Sequence, residues 1–405
     1  MTAITAAGNA AELPPYPGAR SGRCPFDPPA ELIEGQQAPG LRRAQTSHGV
    51  PAWVATRFED AKVVLSDTRF SADVRRFPQL TVSTQNAQGP QPFPRTDDPE
   101  HARIRRQFTG EFTVKRMEAL RPSIRDLINT ILDEMISREE RPVDLVRHFA
   151  LPVPSLAVSL LLGVPYEDHD FFQENSAVLT RRFATREEKT AASAALNDYM
   201  LQLAHRKQRE PADDLVSRVL AAGELSPQEM AVNGKVLLLA GHETTANMIG
   251  LSVVALLNNP EQAARIRAVE DPKRAARAVD ELLRYLTVPQ DLIHRVATED
   301  LELGGQHISA GDLVTVSLPT ANRDARFDNA HVLDLERTQP SGGHLAFGYG
   351  IHQCLGQSLA RIELQEALTI LLRRLPDLRV AVPTDEIKFR HDMAAFGVHE
   401  LPVTW

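Results

Sequence analysis

Residues 347–361 read FGYGIHQCLGQSLAR. Gly348, Gly350 and Gly356 surround Cys354, one of only two cysteines in 405 residues. The segment then runs straight into a helical pattern, LGQSLARIELQEAL, at 355–368. Glycines permit a tight bulged turn and a close approach of backbone to something flat or bulky. Cys354 stands at the mouth of the helix, where unpaired N–H groups and positive potential favour the thiolate. A thiolate placed so can attack or ligate. His352, two residues away, is too local to serve as a triad base, and no triad signature occurs elsewhere.

Composition narrows the function classes. The chain is 42% hydrophobic and 24% charged, enough to build a large core. A net charge of −8 gives no support to nucleic-acid binding. Cys24 and Cys354 lie at opposite ends of the chain and make neither a disulfide framework nor a zinc or iron–sulfur ligand set, which fits a reducing compartment. The opening MTAITAAGNAAELPPYPGAR lacks a basic region and a long apolar core. No window approaches the ~20 apolar residues of a membrane span. The expectation is a soluble, cytoplasmic, monomeric protein.

Outward from the cysteine, helical patterns dominate. SPQEM at 226–230 is a helix start, with Ser226 as cap, Pro227 in the first turn and Glu229 closing a capping box. The next proline is Pro260, which leaves a helix of about 33 residues, roughly 50 Å long. VPAWVAT at 50–56 reads as a strand before a helix at 58–66, and β-branched runs with Gly turns at 287–318 suggest a small sheet. Residues 71–98 form a long Pro-, Gln-, Ser- and Thr-rich loop, a length that is often functional. The reading is one domain over 1–405, mainly α with a small β region. Residues 1–45 are expected to be a loosely packed lead-in, with 1–20 flexible.

Local rules are broken in a few places. LLLAGHETTANMIG (237–250) interrupts the long helix with Gly241, His242, Glu243, Thr244 and Thr245. Such a break predicts a kink or π-type bulge, open to a small ligand or water beside a carboxylate and a hydroxyl. DDPEHARIRRQF (97–108) starts a helix with Asp98 as cap and Pro99 in its first turn, and puts His101 and Arg105 on one face, where they could clamp a carboxylate. ELLR places Glu281 and Arg284 three apart on a helix, and Arg295 of HRVATEDLEL stands where helix gives way to strand.

Together these pieces resemble the cytochrome P450 haem-thiolate monooxygenases, in their soluble bacterial class and actinobacterial branch. FGYGIHQCLG resembles the family's haem-binding loop, AGHETT its oxygen-activation motif, ELLR its structural Glu-x-x-Arg and HRVA its propionate-binding segment. EFTVKRMEALRP, FALPVPSLAVSLLLGVPYEDHDFF and the terminal ELPVTW resemble the actinobacterial branch. The resemblance implies a P450 fold with the long central helix over haem b (iron protoporphyrin IX). It implies Cys354 as the axial iron ligand, Phe347 packed near the sulfur, and His101, Arg105, Arg295 and His352 as propionate partners. Gly241 would let the helix open over the iron. Thr244 and Glu243 would be the catalytic alcohol and acid, and Glu281, Arg284 and Arg337 a buried ion network. ANRDARFDNAHVLDLER (321–337) departs from the family in lacking prolines after NRD.

The implied reaction inserts one atom of O2 into a mostly apolar small molecule, by hydroxylation or epoxidation of a polyketide or macrolide, steroid-like or xenobiotic substrate. Electrons would come from a separate ferredoxin and ferredoxin reductase, with Arg103, Arg106 and Arg361 guiding an acidic partner. A peroxide-driven oxygenase of the same fold would not need Glu243 and Thr244. A haem-binding sensor would need an output module, and none is visible. The expected substrate walls are the 71–98 loop, the helices around 165–195, the apolar face before Gly241, VPQDLI (288–293) and MAAFGV (393–398). Val288, Leu292, Ile293 and Phe396 are the candidate contacts. Arg181, Arg182 and Arg186 lie near one wall, either to meet an acidic substrate or simply to face solvent.

Overall fold

A computed structural model describes residues 13–20, 24–77 and 89–405. Its axis is the helix Pro227–Leu257, 31 residues and roughly 46 Å long. Its start is as the sequence predicts. The Ser226 hydroxyl accepts from the Glu229 N–H (3.2 Å), and the Glu229 carboxylate accepts from the Ser226 N–H (2.9 Å). From Thr245 to Leu256 every residue is buried, so no polar face is needed and none is present. Helices Pro152–Leu162, Arg186–Arg209 and Gln357–Arg374 pack around it. One buried apolar cluster runs from Phe26 to Val403. No described helix is long and apolar enough to cross a membrane.

The predicted interruption at Gly241–Thr245 does not break the helix. The Thr244 hydroxyl donates to the Ala240 carbonyl (2.9 Å) and His242 Nδ1 bonds the Leu238 carbonyl (2.8 Å). Both side chains bond back one turn beside the ladder, without entering it. The π-type turn lies elsewhere, at Val146–Ala150. There the Leu151 N–H donates to the Val146 carbonyl (3.0 Å), just before a helix that opens with Pro152.

The sheet expected near 287–318 has five strands, ordered Arg42–Gln45, Pro51–Ala55, Leu313–Val316, His294–Ala297 and Phe70–Ser71. Only Pro51–Ala55 with Leu313–Val316 is parallel. Arg295 pairs with Val314 in the middle of it.

The lead-in is not loosely packed where it is described. Tyr16 is 1% exposed, shares a cluster with Leu32, Ala44 and Val54, and donates its hydroxyl to the Val316 carbonyl (3.3 Å). Residues Ala30–Gln37 form a helix. A proline-rich composition hid an aromatic anchor. Residues 1–12, and 78–88 of the long predicted loop, lie outside the described residues.

The segment that lacks the family's prolines is held by side chains instead. Asn322 accepts from the Leu345 N–H (2.7 Å) and donates to Thr287 (2.9 Å). Asp324 accepts from the Phe58 and Arg326 N–H groups (both 3.0 Å).

Candidate active site

The loop before helix Gln357–Arg374 is closed by three backbone bonds. The Cys354 N–H donates to the Phe347 carbonyl (2.9 Å), Gly348 to Leu345 (2.8 Å) and Gln353 to Gly350 (3.0 Å). Its glycines have different reasons. Gly350 has a φ of +73°, and a Cβ there would meet the Leu65 carbonyl oxygen at 2.6 Å, because the loop crosses the end of helix Phe58–Ser66. Gly348 and Gly356 have nothing within 4 Å of a built Cβ, so they are the two that leave room beside Cys354.

Cys354 retains accessible surface, but the protein packed around its sulfur dominates. Burial pushes the thiol up, against the Gly356 N–H and the Arg105 and Arg361 charges that pull it down. Burial thus opposes the pull toward the thiolate expected at the helix mouth. A bound metal ion would supply the missing charge and deprotonate the thiol outright. Phe347 lies under the Arg361 guanidinium, 4.5 Å from its ring centre.

The four predicted carboxylate partners converge from three distant segments. The His101 and His352 rings are 4.2 Å apart. His101 Nδ1 bonds Asp98 (3.1 Å) and Asp98 also accepts from the Ala102 N–H (3.0 Å), but the cap position of the helix Glu100–Thr109 is Pro99, one residue later than expected, so Pro99 precedes the first turn and Asp98 binds the helix start from outside it. Arg105 donates to the Gln353 carbonyl (2.7 Å), one residue before the cysteine. Arg295 is 7% exposed and donates to the His294 carbonyl (2.9 Å). Burial pushes the His352 imidazole down to about 3, with Arg295, His101 and Arg105 among the neighbouring cations that add to it. Burial also pushes Arg295 down to about 10. His101 Nε2 and His352 Nδ1 are buried without a partner among the described residues. Orphaned donors and cations around one point fit a group with two buried carboxylates, as a haem has.

On the opposite wall the predicted pair divides. Ala240 and Thr244 keep accessible surface in the middle of the long helix. Glu243 is buried and turned away, its carboxylate paired with the Arg390 guanidinium (2.7 Å). Asn247 accepts from Arg390 (2.9 Å) and donates to the Glu243 carbonyl (2.8 Å). Gly241 also has a different setting. A Cβ there would meet Val158 Cγ2 at 2.8 Å, so its smallness lets helix Pro152–Leu162 approach.

Two of the four candidate substrate contacts are core residues. Val288 and Phe396 are buried, and Phe396 stacks on Phe389 at 5.8 Å with the Arg20 guanidinium 3.7 Å above it. Leu292 and Ile293 keep accessible surface. Arg182 is committed to Asp291 (3.3 Å) and to the Tyr16 and His391 carbonyls (2.6 and 3.1 Å), so it does not await an acidic substrate. Arg181 is exposed and bridges to Met393.

The sequence reading missed Glu363. It is enclosed between helix Gln357–Arg374 and the long helix, hydrogen-bonded to the Thr245 side chain, with Oε1 unpartnered among the described residues. Its position on the stripe Leu359, Ile362, Ala367 was the available signal, a carboxylate on an apolar face. Burial pushes its carboxyl up to about 8. The folded chain therefore keeps a proton that the unfolded chain, with an ordinary glutamate at 4.5, gives up. Its contribution to stability is lost as pH rises from about 4.5 to about 8. Glu363→Gln should raise the midpoint of thermal unfolding above wild type at about pH 8 and leave it nearly unchanged at about pH 5. If the variant keeps the wild-type pH slope, another group causes it.

Known proteins share this fold. A family model described as Cytochrome P450 matches residues 47–271 and 275–404. Cytochrome P450-SU2 of Streptomyces griseolus is 49% identical over 393 residues, 96% of each chain. The solved mycinamicin VIII C21 methyl hydroxylase MycCI of Micromonospora griseorubida, bound to mycinamicin VIII, is 39% identical with a TM-score of 0.89, covering 97% of this chain and 100% of that one. The structure of CYP105P1 in complex with filipin I is 40% identical with a TM-score of 0.89, covering 97% of this chain and 99% of that one.

Proposed function

The chain belongs to the cytochrome P450 family of haem b monooxygenases, and from that premise we propose that it oxygenates a mostly apolar small molecule of the polyketide or macrolide kind beside Cys354. The observation that carries the site assignment is the convergence of Cys354 with the unpartnered ring nitrogens of His101 and His352 and the guanidinium groups of Arg105 and Arg295. Bound haem supplies the redox chemistry by which one atom of O2 enters the substrate and the other leaves as water.

The chain's own residues position and tune that group. Cys354 would hold the iron of that group as a thiolate, a ligand that would donate electron density to it. The Gly356 N–H, hydrogen-bonded to the sulfur, would temper that donation. His101, Arg105, Arg295 and His352 would hold the propionates. Thr244, whose hydroxyl faces the Ala240 carbonyl, would hold or pass a proton at Oγ1. Glu243 reaches that point only if its pair with Arg390 rearranges, so Arg390 and Asn247 would govern whether Glu243 takes part.

The substrate class rests on relatives: MycCI is seen with mycinamicin VIII and CYP105P1 with filipin I. Leu292 and Ile293 are the side chains here that would meet it. Electrons would arrive from a ferredoxin with its reductase, docking on the cysteine side. Tyr349 and Ile351 are exposed there, and Arg106 is exposed as well. Arg103 and Arg361 are paired with Glu229 and Asp280. Of the three predicted steering arginines, Arg106 is therefore the one whose charge reversal should slow reduction most.

The test of the reading is the spectrum of the reduced carbon monoxide complex. A strongly red-shifted Soret band is expected, and its absence in folded, haem-loaded protein would overturn thiolate ligation. Thr244→Ala tests the proton assignment. With filipin I or mycinamicin VIII as the probe, whichever shifts the spin state, oxygen uptake should continue while product per electron falls about tenfold or more and peroxide is released. Coupling unchanged from wild type would remove Thr244 from the mechanism.

A further inference from the structure

Among the described residues Arg95 has no acceptor for its side chain. It ends the short 3-10 turn Phe93–Arg95, whose backbone is tied down on every side. The Arg95 N–H donates to the Pro92 carbonyl (2.8 Å), the Thr96 hydroxyl to the Phe93 carbonyl (3.0 Å), and the Phe93 N–H to Asn233 on the long helix (2.9 Å). The Phe93 ring packs on His101 (6.1 Å between ring centres) and lies 5.8 Å from the Arg105 guanidinium. The turn thus holds Arg95 beside the propionate partners already described.

Its guanidinium makes no side-chain hydrogen bond or ion pair among the described residues. Its charge nonetheless acts on His48, His294, Arg295 and His352, groups from three separate segments. The nearby carboxylates are committed elsewhere. Asp97 accepts from Ser71 and from the Ala72 N–H (2.8 Å), and Asp291 is held by Ser47 (2.8 Å) and Arg182 (3.3 Å). Burial pushes Arg95 down, with no anion opposing it.

A partly buried cation with no counter-charge among the described residues is unfavourable unless water or something bound answers it. The guanidinium fork matches a carboxylate best. We propose that Arg95 binds a carboxylate, as a fifth cationic or N–H donor beside His101, Arg105, Arg295 and His352. The carboxylate has two sources, a haem propionate or an acidic group on the substrate. This inference rests on the haem reading above, and nothing in the motif-based assignment contains it.

The experiment uses the holoprotein with Arg95→Gln and Arg95→Lys. Haem loss to an excess of apomyoglobin is timed by the Soret band. Dodecanoic acid and its methyl ester are compared as probes by spin-state titration. If the propionate is the partner, the Gln variant loses haem about 10- to 100-fold faster and the acid-to-ester preference stays as in wild type. If the substrate is the source, affinity for the acid falls about 10- to 100-fold, the ester is unaffected, and haem loss keeps its rate. The Lys variant should restore part of either effect. Wild-type haem loss together with wild-type probe preference in the Gln variant overturns the proposal. The reduced carbon monoxide spectrum of wild type is recorded on the same samples. Its failure to show thiolate ligation would sink the haem reading rather than the role of Arg95.

Discussion

Cys354→Ser should lose monooxygenase turnover by at least about a thousandfold while keeping the fold. The reasons lie in what the side chain does and does not hold. The loop closes through the Cys354 backbone N–H on the Phe347 carbonyl, which serine keeps. Serine is also nearly isosteric, so circular dichroism and thermal unfolding of the haem-free chain should match wild type. What changes is the atom offered to the metal. The surroundings already push the thiol up despite the Gly356 N–H and two guanidinium groups. A hydroxyl, a far weaker acid, has no route to an anion there comparable to the thiol's. The reduced carbon monoxide complex should therefore lose its strong red shift, and substrate oxidation should fall to background. A serine variant that kept the red-shifted band would mean that a different group ligates iron. Cys24 is the other thiol, and it packs against the main core cluster, so the result would also contradict the placement of the loop.

How much of this site was legible depended on how local its causes are. The capping box at Ser226 and the stretch of helix it opens involve neighbours three residues apart, and the sequence reading placed them within two residues of their observed ends. The pairing of His101 with Arg105 on one face was legible for the same reason. Propensity misled at Gly241–Thr245, because a helix held by packing along its buried face keeps its ladder even where Gly and Thr weaken it. It misled again at the lead-in, where one buried Tyr16 outweighs many prolines. The partners that decide charge were not legible. Arg390 reaches Glu243 across 147 positions, and no spacing rule reports that. Glu363 and Arg95 show the same limit. Each looks ordinary in sequence, and only the distant segments packed around them push the Glu363 carboxyl up and leave Arg95 without a side-chain partner among the described residues. Val288 and Phe396 failed in the reverse sense. An apolar residue in an expected wall segment cannot be told from a core residue until its other neighbours are known, and Phe396 is covered by Phe389 and Arg20.

Glu281→Ala should be the most damaging single change to stability, by about 3–5 kcal/mol. The Glu281 and Arg284 side chains are both 0% exposed. The carboxylate accepts from Arg284 Nε and Nη2 (both 2.8 Å), from Arg337 Nε (3.0 Å), from Gln339 (3.2 Å) and from the Asp334 N–H (3.1 Å). Arg284 in turn donates to the carbonyls of Asn322 (2.9 Å), Ala330 (2.8 Å) and Val332 (3.3 Å). The pair therefore fastens helix Pro272–Leu286 to the irregular segment 322–339. Removing Glu281 leaves two guanidinium groups facing one another in a dry interior, with a backbone N–H unpaired. Such a loss takes a large share of a total stability of about 5–15 kcal/mol. Glu281→Gln keeps an acceptor for one donor and should fall between alanine and wild type. Arg284→Lys keeps the charge but cannot fork to the carboxylate and reach three carbonyls, so it should resemble alanine more than wild type. The consequence reaches the cysteine through one bond, because Asn322 holds the Leu345 N–H at the start of the cysteine loop. Loosening 322–339 should therefore lower haem content before the helices melt. Urea unfolding of the haem-free chain and the haem-to-protein ratio of the purified variants measure the two effects separately. A Glu281→Ala protein within about 1 kcal/mol of wild type, with full haem, would show that water or rearranged side chains replace the carboxylate and that the network does not brace the cysteine loop.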